Sequence, residues 1–324
     1  MCTAITYKTK NFYFGRTLDL EYSYSEEVVI MPKNFPFSLR HTTTDKRRYA
    51  IIGTAFVPDT LPLYYDAANE AGLSMAGLNF PENAKYNKVI KSKINIAQFE
   101  LIPFILGNCS DTDEAVKLIS KINITDTSYS SELPLADLHW IIADKNKCVT
   151  LECVEDGVKI YDNAAGVLTN NPPFDIQTFN LNNYINLSPE QPENTFSSKL
   201  ELKNYTKGLG AVGLPGDLSS QSRFVRAVFT KLNSVSGKSE EQSVNQFFHI
   251  LGSVSQTRGC NRLDGNKYEI TVYTSCCNAS DGIYYYTTYG NHRINSVDLR
   301  KVNLKSDGLY RYPHIDKESI NKQN

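Results

Sequence analysis

The sequence predicts an α+β protein built in layers, with mostly antiparallel sheets. Strand-like and helix-like stretches occur in groups along the chain rather than in strict alternation, which is typical of segregated layers. Tyr and Phe are abundant, at 20 and 15 of 324 residues, and aromatic residues favour half-buried strands. Because no repeat, low-complexity tract or clear linker divides the sequence, we expect a single domain over residues 1–324.

Short stretches rich in β-branched and aromatic residues predict the strands. The chain opens with an alternating pattern in which Thr3, Ile5 and Tyr7 share one face, so the first residues are expected to form a hairpin. Further strands are predicted at 27–31, 49–56, 138–144, 148–154, 157–161, 166–169, 267–276, 282–289 and 293–298.

Apolar residues with a period near 3.6 predict the helices. The second helix begins at a capping Asp111 or Thr112, with acidic residues in its first turn. The polar and irregular stretch 186–215 fits neither pattern and is expected to be a long excursion. Helices are predicted at 97–107, 111–121, 174–184, 219–234 and 239–255.

Charge and composition argue against several classes of partner. The formal net charge is −1, and the charged residues, 21% of the chain, mix both signs. No basic patch suggests nucleic acid or an anionic membrane as a partner. The start of the chain lacks the features of a signal peptide, and no stretch of about 18 apolar residues exists. We therefore expect a cytoplasmic protein, whose seven scattered cysteines do not form a disulfide framework.

The opening hairpin brings the first cysteine close to charged residues. If its turn lies at 10–11, Cys2 is opposite Asp19, and if the turn lies at 9–10, Cys2 is opposite Thr17. Either register puts a cation, Arg16, and a carboxylate, Asp19, within reach of the thiol. The spacing alone leaves both registers open.

This arrangement becomes reactive once Met1 is removed. The new α-amine would act as the general base for its own thiol. Arg16 would stabilise the thiolate, and Asp19 would accept a hydrogen bond from the amine and orient it. On spacing alone, a small residue in a terminal strand beside an ordinary surface ion pair is the favoured alternative.

Two asparagines follow strand-like runs and are candidate oxyanion donors. Asn79 ends a Gly-rich apolar run, and Asn170 ends the run that begins at Gly166. An amide at a strand end can stabilise an oxyanion, although a turn-forming role is the common one. The loop 213–217 precedes a helix in which Arg223 or Arg226 can point inward.

Other motifs carry no chemistry. The GxGxxG pattern at 208–213 follows no buried strand, and Pro215 blocks an immediate helix. No two histidines have zinc-ligand spacing, so no metal is expected. His139 and His249 are expected to be hydrogen-bonded core residues, because each lies in an apolar segment.

Ordered motifs along the chain resemble the choloylglycine hydrolase family, which comprises bile salt hydrolases and penicillin V acylases. The resemblance covers nearly the whole chain and turns Cys2 from a terminal strand residue into the expected nucleophile. It is carried by the start Met-Cys-Thr-Ala and by the segments 15–19, 69–73, 76–81, 138–140, 166–170, 213–217, 222–224 and 273–276.

The resemblance implies an αββα sandwich of two mostly antiparallel sheets, the N-terminal nucleophile (Ntn) hydrolase fold, and hydrolysis of a non-peptide amide. It implies that Cys2 is nucleophile and base, with Arg16, Asp19 and Arg223 around it; Arg226 matches the family less well. It also implies that Asn170 and the backbone N–H of Asn79 are the oxyanion donors.

The resemblance further implies a substrate, a glycine- or taurine-conjugated bile salt, and no cofactor. Asn79 favours bile salt hydrolases, because penicillin V acylases tend to have Tyr there. Leu18, where bile salt hydrolases often have Met, would keep an apolar contact to the steroid. Tyr24, Phe56, Tyr65 and Asn79 are expected to contact the substrate as well, the three aromatic residues from their positions in the chain. The family often forms homotetramers, and 186–215 is a candidate assembly arm. The alternatives are penicillin V acylase activity on the same scaffold and a non-catalytic sterol- or amphiphile-binding protein.

Overall fold

Two large antiparallel sheets face each other, with helices on their outer sides, in the computed structural model, which describes residues 1–42 and 48–324. The strands in these residues are β1 Cys2–Lys8, β2 Phe12–Leu20, β3 Glu27–Met31, β4 Ile51–Phe56, β5 Leu63–Asn69, β6 Ser74–Asn79, β7 Ile94–Ala97, β8 Ile122–Thr125, β9 Leu138–Ala143, β10 Cys148–Val154, β11 Gly157–Asp162, β12 Val167–Leu168, β13 Ile270–Asn278, β14 Ile283–Thr288, β15 Asn291–Asp298 and β16 Tyr310–Pro313.

The strands assemble with little regard to their order along the chain. One sheet has the order β12-β1-β2-β13-β14-β15, and the other has the order β11-β10-β9-β6-β5-β4-β3-β16. A small parallel sheet pairs β7 with β8. The α-helices in the described residues are α1 Leu101–Asn108, α2 Thr112–Ile119, α3 Phe174–Asn180, α4 Ser220–Asn233 and α5 Glu240–Gly252.

The layers follow from which face each residue presents. In β3, Val28 and Ile30 join the core between the sheets, whereas Val29 and Met31 pack towards α1. This alternation is the period of a strand buried on both faces. Helix α1 covers the eight-stranded sheet, and α4 and α5 cover the six-stranded sheet. The expected α+β class and αββα architecture are therefore confirmed.

The register of the opening hairpin differs from both registers that the sequence left open. Cys2 is opposite Leu18, and Lys8 is opposite Phe12. The connecting loop, 9–11, has three residues rather than two. A loop longer by one residue shifts the pairing by one position, so a different side chain lies beside the thiol.

Several elements carry too weak a pattern for prediction. Strand β5 contains the polar Asp66 and Asn69 among its buried residues, and β7, β8 and β16 have only four residues each. The expectation for His139 is confirmed, since it is fully buried and hydrogen-bonded. The expectation for His249 is wrong, because it lies on the exposed side of α5.

Candidate functional site

A cavity of about 410 Å³ lies between the sheets, beside the N-terminal strand. Cys2, which is 2% exposed, lies at its wall with Arg16 and Asn79. Aromatic and aliphatic side chains form most of the remaining wall, among them Leu18, Leu20, Tyr22, Tyr24, Phe56, Tyr65, Phe99, Ile102, Tyr129, Leu133 and Leu138. The cavity therefore suits an apolar molecule that reaches a thiol at one end.

The hairpin divides the site between its two faces. Directly opposed residues point to the same side of a sheet, so Cys2 and Leu18 face the cavity together. Arg16, two residues before Leu18, shares that face, while Thr17 and Asp19 point towards the helices. The reactive centre thus has a substrate-facing half and a polar half on opposite sides of one hairpin.

Arg16 reaches across the sandwich between two strands of the other sheet. It donates through Nη1 to the carbonyls of Gly77 (2.5 Å) and Tyr65 (3.1 Å), and through Nε to its neighbour Thr17 (3.1 Å). Tyr65 is the extra residue of a β-bulge, since Thr54 pairs with Asp66 and Ala55 with Tyr64. Bulges redirect side chains beside active sites, and this one turns Tyr65 towards the cavity.

The charge of Arg16 is buried completely. Its Nη2 has no hydrogen-bond acceptor among the described residues. Burial opposes the charge, but the attraction of Cys2, Tyr273 and Asp66 outweighs it and raises the pKa of Arg16. A cation that is already fixed beside the thiol can stabilise its thiolate without reorganisation.

Asp66 provides a buried counter-charge for Arg16. Its carboxylate accepts hydrogen bonds from the hydroxyls of Tyr273 (2.6 Å), Tyr284 (2.7 Å) and Ser275 (2.9 Å). Ser275 in turn accepts the backbone N–H of Arg16 at 3.0 Å. Burial raises the pKa of Asp66, and Arg16 with the three hydroxyls acts in the opposite direction.

Asn170 is the centre of the polar half of the site. Its Oδ1 accepts the Cys2 N–H at 2.9 Å and the Nη2 of Arg223 at 2.7 Å. Its Nδ2 donates to the carbonyl of Asn79 at 2.8 Å. The two asparagines selected from the sequence are therefore in direct contact: Asn79 is the last residue of β6, and Asn170 lies two residues after β12.

Arg223 is the arginine of α4 that points inward. It is fully buried and donates from Nη1 to the Cys2 carbonyl (2.5 Å) and to Thr3 Oγ1 (2.7 Å). Burial lowers the pKa of Arg223, and Asp19 and Cys2 act in the opposite direction. Arg226 instead binds backbone carbonyls at Ser253, Pro215 and Asp217.

Asp19 lies on the helix side and does not contact the Cys2 N–H. Its carboxylate accepts the hydroxyls of Thr271 (2.7 Å) and Thr17 (3.1 Å). Burial raises the pKa of Asp19, against the effects of Arg223 and the N-terminal ammonium. The Cys2 N–H donates to Asn170 in this chain, which still carries Met1. Orientation of a free Cys2 amine by Asp19 stays a prediction.

Met1 extends the hairpin by one residue. Its ammonium donates to the Asp19 carbonyl at 2.7 Å and forms an ion pair with Glu269, and the Asp19 N–H donates to the Met1 carbonyl at 2.9 Å. Burial raises the pKa of Glu269, and the ammonium lowers it. While Met1 is present, the basic amine lies one residue away from the Cys2 thiol.

The structure brings the predicted residues together. Cys2, Arg16 and the five residues expected to contact substrate, Leu18, Tyr24, Phe56, Tyr65 and Asn79, all line the cavity. Asn170, Arg223 and Asp19 form the polar layer behind Cys2. That these side chains bind substrate or catalyse stays a prediction.

Sequence reasoning missed part of the site. It gave no role to Glu269, Thr271 or Asp66, nor to the cavity wall from the segment 126–137. The only signal there is Leu133-Pro134 in a Ser-rich stretch, which has no periodicity. Within residues 1–42 and 48–324, no three His, Cys, Asp or Glu side chains are grouped as metal ligands. No helix of that part of the chain is long and apolar enough to cross a bilayer.

Several known proteins are similar to this chain over nearly its whole length. The bile salt hydrolase/transferase of Lactiplantibacillus plantarum is 53% identical over 97% of both chains. That of Clostridium perfringens is 36% identical over the full length of both. The crystal structure of the mutant C2A conjugated bile acid hydrolase from Clostridium perfringens superposes with a TM-score of 0.92 at 36% identity, covering both chains fully.

A more distant structure shares the fold. Penicillin V acylase from Agrobacterium tumefaciens superposes with a TM-score of 0.76 at 19% identity, over 96% of this chain and 90% of its own. The family profile described as linear amide C–N hydrolases, choloylglycine hydrolase family, matches residues 2–312. The chain therefore belongs to the choloylglycine hydrolase family.

Proposed function

We propose that this chain hydrolyses the amide bond of glycine- or taurine-conjugated bile salts through a thioester on Cys2. One observation carries the proposal: the Cys2 thiol lies at the wall of an apolar cavity beside the buried charge of Arg16. A steroid matches the size and apolar wall of the cavity. The names of relatives that match over 96–100% of the chain point to the same substrate class.

The proposed reaction begins with the thiolate of Cys2. Its sulfur attacks the amide carbon, and the negative charge moves to the carbonyl oxygen, where Asn170 Nδ2 and the Asn79 backbone N–H donate. The C–N bond then breaks, and the Cys2 ammonium protonates the leaving nitrogen. Water, deprotonated by the same amine, hydrolyses the thioester and releases the bile acid.

The proposal requires removal of Met1, because the amine that serves as base belongs to Cys2. Groups that can accept hydrogen bonds from that amine already lie close to it. Asn170 Oδ1 already accepts the Cys2 N–H at 2.9 Å, and the carboxylates of Asp19 and Glu269 lie close to the present N-terminus. Intact mass lower by one methionine is the expected result for the active protein.

A direct assay tests the function. Purified protein is incubated with glycocholate, taurocholate and penicillin V, beside the variants Cys2→Ser and Cys260→Ser. Cys260 is an exposed cysteine away from the cavity wall, so its replacement is the matched control. We expect bile salt turnover by the native protein and by Cys260→Ser, and loss of turnover with Cys2→Ser.

Each alternative gives a different pattern. Turnover of penicillin V without turnover of the bile salts would make the chain a penicillin V acylase. Saturable bile salt binding with no release of glycine or taurine, by protein of the processed mass, would indicate a non-catalytic sterol-binding protein. Turnover that survives Cys2→Ser would rule out the thioester.

We also propose that the chain assembles as a homotetramer through the segment 186–215. This arm carries strongly exposed apolar side chains, including Phe196 (79% exposed) and Tyr205 (86%). Exposed apolar side chains concentrated in one segment are typical of an interaction site, and self-association would bury them without a further partner.

Light scattering coupled to gel filtration tests the assembly. We expect a tetramer for the native chain and a smaller species for the double variant Phe196→Ser/Tyr205→Ser. Val235→Ser is the control, because Val235 is equally exposed but lies outside the arm. A native monomer, or an unchanged tetramer in the double variant, contradicts the proposal. The cytoplasmic location stays a prediction that cell fractionation would test.

A further inference from the structure

A buried pair of titratable side chains lies behind the two asparagines of the site. His139 and Glu152 are fully buried, and His139 Nδ1 is 3.0 Å from Glu152 Oε1. The other ring nitrogen, Nε2, is 2.9 Å from the carbonyl oxygen of Thr169. The pair lines neither the cavity nor the polar layer around Cys2.

The chemistry of its partners fixes where the protons lie. A carbonyl oxygen only accepts hydrogen bonds, so Nε2 of His139 carries a hydrogen and donates it to Thr169. Glu152 Oε1 also accepts the backbone N–H of Phe174 at 3.0 Å. The contact between Nδ1 and the carboxylate therefore contains a second proton, carried by Nδ1 or by the carboxyl group, and the hydrogen on Nε2 stays directed at Thr169.

His139 touches the neighbour of each proposed oxyanion donor. Thr169 precedes Asn170, and Phe80 follows Asn79. The His139 ring stacks on Phe80 with 4.3 Å between ring centroids and 8° between planes. Strand β12 ends at Leu168, so the Thr169 carbonyl lies beyond the sheet ladder and takes its hydrogen bond from His139.

We propose that His139 and Glu152 are a positioning pair for the oxyanion donors, holding Asn170 through Thr169 and Asn79 through Phe80. The inference rests on the proposed function, because it assumes that these donors stabilise an oxyanion. His139 does not line the cavity, so we expect its effect on the turnover number rather than on substrate binding.

Two amide substitutions separate the contacts of His139. In His139→Gln the side-chain N–H can still reach Thr169, whereas in His139→Asn the shorter amide stays near Glu152 and leaves the Thr169 carbonyl without its donor. We expect His139→Asn to lower kcat roughly tenfold, a fraction of the ~10²–10³ that loss of an oxyanion donor costs, with KM nearly unchanged. His139→Gln should keep most of kcat.

A double-mutant cycle tests whether His139 acts through Asn170. In the Asn170→Ala background, His139→Asn should lower kcat by clearly less than in the native background, because one of the two donors that His139 positions is gone. Equal losses in both backgrounds, or a change confined to KM, would overturn the inference. If native protein turns over bile salts and Asn170→Ala impairs it while His139→Asn does not, only the inference fails. If native protein has no activity, the proposed function fails first.

A second pair of variants covers the case in which His139→Asn does not fold by circular dichroism. In Glu152→Gln the oxygen that accepts the Phe174 N–H also faces Nδ1, so a neutral ring carries its hydrogen on Nδ1 and turns the Nε2 lone pair towards Thr169. Glu152→Met has the same length and no polar group. We expect both variants to lower kcat with KM nearly unchanged. Native kcat in Glu152→Gln, or a change confined to KM, contradicts the inference.

Discussion

At the scale of single residues, the site depends on a side-chain amide whose oxygen accepts hydrogen bonds while its nitrogen donates one. Asn170 accepts the Cys2 N–H and an Arg223 N–H at one end and donates to Asn79 at the other. Its neighbours therefore define which atom is oxygen and which is nitrogen. This is a constraint that neither a carboxylate nor a hydrophobic residue of the same size satisfies.

Asn170→Asp tests the Nδ2 donor of this residue separately from its Oδ1 acceptor. The substitution keeps an acceptor for Cys2 and Arg223 but replaces the donor with an oxygen that faces the Asn79 carbonyl. We expect kcat to fall roughly 10²–10³-fold, measured as release of glycine or taurine. Asn183→Asp, on the exposed turn after α3, is the control. A kcat within twofold of the native value would mean that Asn170 is no oxyanion donor.

At the scale of elements, two β-bulges shape the site. One lies in β5 at Tyr65, and the other lies in β13 at Val272, where Thr271 pairs with Asp19 and Tyr273 with Leu18. The second places the Thr271 hydroxyl against the Asp19 carboxylate. Strands β2 and β13 also approach each other closely at Gly15, where an added Cβ atom would lie 2.1 Å from the Ser275 carbonyl oxygen.

Gly15→Ala therefore tests how tightly the strands must pack beside Arg16. The added methyl group meets backbone atoms that cannot rotate away, so β2 and β13 must separate. We expect a loss of roughly 1–3 kcal/mol in the free energy of unfolding and lower kcat, measured by urea denaturation and by the bile salt assay. Gly216→Ala, which meets no atom within 4 Å, should change neither. Unaltered stability of Gly15→Ala would show that the strands can move.

The sequence predicts an element well when the pattern that defines it lies within the element itself, and poorly when it depends on residues distant in the chain. Hydrophobic alternation located most strands, and the caps located α2, because those signals are local. The register of the opening hairpin was wrong because one additional loop residue is invisible in the alternation. Asp66 and Glu269 escaped notice because their importance comes from Arg16 and the N-terminus, which are distant in sequence. Bulges are likewise set by pairing between strands.

At the scale of the whole molecule, the C-terminal segment joins the two sheets. Strand β16 pairs with β3 in the eight-stranded sheet. Immediately afterwards, His314 stacks on Tyr286 of the six-stranded sheet at 4.3 Å and approaches Tyr273 and Thr54. The Ile315 carbonyl accepts a hydrogen bond from Asn291 at 3.0 Å.

This junction should make stability depend on pH. Burial lowers the pKa of His314 to about 4, with Asp316 acting in the opposite direction. Because the unfolded chain binds this proton at higher pH than the folded chain, the contribution is complete above about pH 6.5 and is lost as pH falls towards 4. The ring is partly accessible to solvent, so we expect a loss of about 1–2 kcal/mol.

Urea denaturation of His314→Phe and the native chain between pH 4 and 7 measures the effect. The phenyl ring keeps the stacking on Tyr286 and has no proton to bind, so its pH dependence over this range should be weaker. His249→Phe is the control, since His249 lies on the exposed side of α5. Parallel pH curves for His314→Phe and the native chain would assign the dependence to other groups.

The division of the opening hairpin into two faces has a consequence for how such a protein can diversify. Leu18, Leu20 and Tyr22 project into the cavity from one side, and Thr17 and Asp19 meet the helices on the other. Exchanges of these apolar residues alter the fit of the ligand without altering the contacts of the Asp19 carboxylate on the second side. Selection can therefore adjust ligand preference along β2 while the polar layer behind Cys2 stays the same.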